Sequence, residues 1–102
     1  MSQLHIINKS PFSHGSLEAC LRLAKSGSAI LLIEDGVYAA QTSTSVSDAL
    51  SSAMQNHKVY ALDSDLSARG LHAERLLAGV ETVDYAGFVQ LAVDHDTPNS
   101  WL

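Results

Sequence analysis

Ala29-Ile30-Leu31-Leu32-Ile33 is an unbroken run of five apolar residues. A strand with one face in water alternates apolar with polar side chains; a strand covered on both faces need not. The run therefore predicts an inner strand of a parallel sheet, part of a β-type stretch from Ala29 to Glu34. Outward from it, three more such stretches stand at Leu4 to Asn8, Lys58 to Asp63 and Val80 to Asp84. The segments between them carry a 3.6-residue period. Leu17, Cys20, Leu21 and Ala24 fall at i, i+3, i+4 and i+7, with Lys25 in the last turn and Gly27 as the stop. Val46, Ala49, Leu50, Ala53 and Met54 form a second stripe, and Ser45 with Asp48 has the spacing of a capping box. Ser64 to Arg69 before Gly70, and Ala73 to Ala78 before Gly79, have the makings of helical turns. Tyr85, Phe88, Val89 and Ala92 form a further stripe.

Strands alternating with helices predict right-handed βαβ units. The expected architecture is a single α/β domain over residues 1–102, doubly wound, with about four mainly parallel strands and helices on both faces. Asp35-Gly36 between apolar runs is also a hairpin signal. It ranks below the βα reading, because Val37 to Ala40 leads into no period-two strand.

Composition narrows the function. A hydrophobic share of 46% in 102 residues fills one core, and two cores would need roughly 100 residues or more between them, with little left for linkers. Eleven acidic against six basic residues give a net charge of −5, with no basic run. A chain that grips nucleic acid by itself needs a basic stripe, so direct nucleic-acid binding is not expected. No apolar stretch approaches the roughly 18 residues of a membrane span, and Met1 to His5 lacks the basic and apolar regions of a signal peptide. One cysteine precludes an internal disulfide and fits a cytoplasmic setting.

The loop after the first strand, Asn8 to Gly15, holds neither of the glycine patterns that cradle phosphate. The five histidines (His5, His14, His57, His72 and His95) include no pair at i, i+4 on a helix face and no completing carboxylate cluster, so no metal or cofactor is expected. No G-x-S-x-G elbow is present. Cys20 is the residue of distinctive reactivity. Its position on an apolar stripe without a cationic neighbour favours a small buried hydrophobe. Its nearness to a helix start favours a thiolate able to carry sulfur. Tyr85 to His95 is apolar nearly all round, which calls for burial on more than one side. Tyr85, Phe88 and Val89 are thus interface candidates. Trp101-Leu102 calls for docking too, on its own domain or on another chain.

The ordered set of segments resembles the TusB/DsrH family. It comprises Leu4 to Phe12, Leu31 to Ala40, Val59 to Leu62, Asp65-Leu66, Ala68 to Leu71, Val83 to Val89 and Ser100-Trp101. The resemblance covers nearly the whole chain at a family-like length. It implies a subunit of a cytoplasmic heterohexameric sulfur-relay complex with two copies of each of three subunits. The partners would be paralogues of the TusD/DsrE and TusC/DsrF types. Persulfide sulfur would pass to a transient TusE/DsrC-type acceptor, and the principal cysteine would lie on the TusD/DsrE-type subunit. The segment Leu17 to Leu21 resembles DsrH-type members that carry a cysteine at the place of Cys20. That makes Cys20 a candidate secondary sulfur carrier and favours dissimilatory sulfur oxidation as the pathway. The alternatives are 2-thiouridine formation at the tRNA wobble position, or a purely structural subunit.

Overall fold

The computed structural model describes residues 3–95 and 97–101. They form a five-stranded sheet in which every pairing is parallel, in the order β4-β3-β2-β1-β5. The strands are β1 (Gln3–Ile7), β2 (Ala29–Leu32), β3 (Lys58–Leu62), β4 (Glu81–Val83) and β5 (Thr97–Trp101). The helices are α1 (Ser16–Leu23), α2 (Ser47–Ala53), α3 (Asp63–Ala68) and α4 (Tyr85–Asp94). All four residues of β2 are buried, as its unbroken apolar run requires.

The connections from β1 through β4 step across the sheet in one direction, and the connection from β4 to β5 returns across it. Right-handed crossovers then place α4 on the face opposite the other helices. The core divides accordingly. Ile7, Ile30, Leu32, Val59 and Ala61 pack against Leu17 and Cys20 of α1, Leu50 of α2 and Leu66 of α3. Leu4, Ala29 and Leu31 pack against Leu91 of α4, with Phe88 and Ala92 beside it. One helix of ten residues thus covers a face that spans five strands.

Five strands stand where four were expected, and the addition is β5. Thr97-Pro98-Asn99-Ser100-Trp101 shows no β pattern, and Pro98 cannot donate to a ladder. An edge position tolerates that, and β5 is the edge strand beside β1, with Pro98 opposite Leu4. Trp101 therefore docks on its own domain, opposite Ile7; Leu102, coupled to it in the sequence reading, lies outside the described residues.

Asp35-Gly36 closes no hairpin. It lies inside a 3-10 helix, Glu34–Ala40, that leads from β2 toward α2. Gly36 is obligatory there, because a Cβ would strike the carbonyl oxygen of Ile7, which also accepts the Ile33 N–H at 3.0 Å. α1 ends at Leu23 rather than at Gly27, since Ala24 is already extended. Arg22, not Lys25, is the cation of its last turn. The Ser45–Asp48 capping box does not form. Instead the Ser47 hydroxyl accepts from the Thr44 N–H at 2.9 Å and donates to the Gln41 carbonyl at 3.0 Å, so Val46 heads the helix without a side-chain cap. Gly70, at φ +67°, stops α3 as its position predicts. The Gly70 and Leu71 N–H groups bond back to Ser67 and Leu66 in the double closure of a Schellman turn. The turn expected over Ala73 to Ala78 shortens to a 3-10 turn, Ala73–Arg75.

Candidate functional site

The chemistry-bearing residues sit in three places. The first is the core beneath α1. Leu17 and Cys20 lie three apart on the inner side of that helix and are both buried, Cys20 at 0% exposure. The surrounding side chains are aliphatic, and burial pushes the thiol up to about 11. Desolvation is the cause, because an apolar medium disfavours the thiolate and no cation compensates.

The second place is the crevice beyond the carboxyl ends of the strands, where ligands of doubly wound folds usually sit. Beyond β2 and β3 it holds a largely exposed network that belongs to the chain itself. Arg69 donates through Nε to Asp35 Oδ1 at 3.0 Å and through Nη1 to the Asp65 carbonyl at 3.2 Å. Asp65 Oδ2 accepts the N–H of Glu34 at 2.7 Å. Glu34 holds φ +49°, and this carboxylate contact pins it there. The network ties the start of the 3-10 helix to α3. Its Arg69–Asp65 pair has the i, i+4 spacing visible in sequence; Asp35 and Arg69, 34 residues apart, do not.

A cleft of about 610 Å³ runs between α1 and α2. Leu17, Leu21, Val46 and Ala49 line it, with Arg22 and His57 among its polar groups. Sequence reasoning missed it, because a gap between two helices has no signature in either. Among the described residues no three His, Cys, Asp or Glu side chains converge on a metal position.

The third place is the outer side of α4. Asp84 caps this helix, its Oδ1 accepting the Gly87 N–H at 2.8 Å. Leu91 faces the sheet, whereas Tyr85, Val89 and Val93 are 71%, 47% and 72% exposed. Spaced four apart, they form one apolar stripe along the outward side. Of the interface candidates, Tyr85 and Val89 lie on this exposed stripe, with Val93 beside them. Phe88 differs. It is half-buried against the sheet and meets Tyr85 edge to face, with ring centroids 5.8 Å apart. Trp101 is half-buried on the face away from α4.

The architecture is shared with solved structures. The YchN protein from Escherichia coli superposes with a TM-score of 0.83 at 21% identity, covering 98% of this chain and 99% of that one. MTH1491 from Methanobacterium thermoautotrophicum gives 0.72 at 19% identity, over 94% and 95% of the two chains. These likenesses define the class, a small α/β domain built on one parallel sheet. In sequence, residues 9–98 match the family model described as "DsrH like protein". The TusB proteins of Enterobacter sp. (strain 638) and Shigella flexneri are 40% and 39% identical to it over 98 residues, covering 96% of this chain and 99% of each of theirs. The chain belongs to the TusB/DsrH family.

Proposed function

We propose that this chain is a subunit of a cytoplasmic sulfur-relay complex, assembled with paralogues of the TusD/DsrE and TusC/DsrF types into a heterohexamer. It supports the subunit that holds the persulfide, from which sulfur passes to a TusE/DsrC-type acceptor. The observation that carries the reading is the outward stripe of α4 in a chain of this family. Three large apolar side chains on one helix face are costly in water, and a partner surface removes that cost. The relatives of known name at 39–40% identity are TusB proteins, which supports 2-thiouridine formation at the tRNA wobble position as the destination. Sulfur oxidation, the pathway favoured from the sequence, drew on the cysteine at position 20, and a thiol pushed up to about 11 lends it little support. The same burial favours a structural role for this subunit within the relay. The net charge of −5 fits a chain that does not itself touch the tRNA.

The test is co-expression with the two paralogues. Val89 is 47% exposed, so Val89→Asp should fold normally alone. Burying its unpaired charge in an interface costs about 3 kcal/mol, equivalent to roughly a hundredfold loss of affinity. Co-purification should fall accordingly, read by sedimentation. A folded Val89→Asp chain that assembles like wild type would reject α4 as the interface.

A further inference from the structure

His5 is a buried polar residue, 4% exposed, on the face of β1 that carries Ile7. Its Nδ1 lies 3.0 Å from Nε1 of Trp101. An indole N–H can only donate, so Nδ1 is the acceptor and the neutral ring carries its proton on Nε2. Nε2 is buried and has no partner among the described residues. The bond joins residues 96 apart and ties the last residue of β5 to the middle of β1. Within the sheet β5 pairs with β1 alone, and Trp101 also packs against the core beneath α1.

We propose that the Trp101–His5 hydrogen bond is a proton-sensitive latch that holds β5 on the edge of β1. A proton can join the neutral ring only at Nδ1, and it converts the acceptor into a donor. Two donors then face each other, and the indole must leave. The surroundings make the neutral ring the docked form. Among the elements beside His5, neither β2 nor the described residues of β5 contain an ionisable side chain. α1 brings the Cys20 thiol on its core side and Glu18 and Arg22 on its cleft side. The connection before β3 brings His57. α4 lies on the other face, where His95 bonds the Leu91 carbonyl. Burial first, and the His57 charge second, hold the His5 pKa below its ordinary 6.5. The sign follows. Undocking exposes the ring and relieves part of the desolvation, so His5 takes up its proton more readily, whereas the docked ring resists it to lower pH. Docking of β5 is at full strength above 6.5 and weakens as pH falls through the window below it.

Trp101 is the single tryptophan of the chain, so its fluorescence reports the latch directly. The experiment follows the emission maximum and acrylamide quenching of the full chain from about pH 8 to 5, with far-UV circular dichroism alongside. In wild type the emission should shift to the red and quenching should rise with a midpoint below 6.5, while the helical signal holds. His5→Gln supplies a carbonyl acceptor that does not titrate and should keep the indole protected throughout. His57→Gln removes the neighbouring charge and should move the midpoint up. A flat wild-type profile, a transition that persists in folded His5→Gln, or a midpoint that falls or stays put in His57→Gln would each overturn the latch.

Discussion

A thiol with a pKa of about 11 is ionised to about one part in ten thousand at neutral pH. Cys20 therefore presents almost no nucleophile while α1 is in place. We expect Cys20→Ser to leave assembly intact and to reduce sulfur transfer per complex only modestly, followed by mass spectrometry of the acceptor. Complete loss of transfer from an intact complex would instead make Cys20 the main carrier. Sequence alone placed this residue on the inner stripe of its helix, because Leu17, Cys20 and Leu21 follow the 3.6 period. The partners of His5 and Arg69 were not legible, since Trp101 lies 96 residues from one and Asp35 lies 34 from the other. Periodicity reports which way a side chain faces; what it meets there depends on the order of strands.

α4 shows how an element divides its apolar surface. Its sequence is apolar nearly all round, and the fold uses one side against the sheet and leaves Tyr85, Val89 and Val93 outside. The surplus was legible; the side that stays bare follows from the return crossover. The helix begins where it does because Asp84 accepts the Gly87 N–H, and an aspartate before an apolar run is a start signal readable in the sequence. Asp84→Ala should lower stability by about 1 kcal/mol, measured by denaturant unfolding, because a first-turn N–H then loses its acceptor. The Ser45–Asp48 pattern misled for a related reason. Thr44 and Ser47 engage each other and the Gln41 carbonyl, so the local hydroxyls serve the preceding turn and not the helix.

For the whole molecule, alternating strands and helices gave the parallel α/β class, and the buried run of β2 gave its centre. β5 was hidden because an edge strand with a proline and one large apolar residue has no periodic signal. That strand sets a clock on biosynthesis. β1 occupies residues 3–7 and its outer neighbour occupies residues 97–101. At a synthesis rate of about 5–20 residues per second, roughly 5–20 s separate the emergence of the two strands. Throughout that interval the outer edge of β1 offers unpaired backbone groups to any passing strand, the template on which chains aggregate. A chain cut after residue 95 is held permanently in that state. It should form light-scattering aggregates at concentrations where the full chain stays clear, and a strand peptide of sequence 97–101 supplied in excess should suppress them. The newborn chain is thus exposed to capture, by chaperone or by a stray neighbour, until β5 reaches β1.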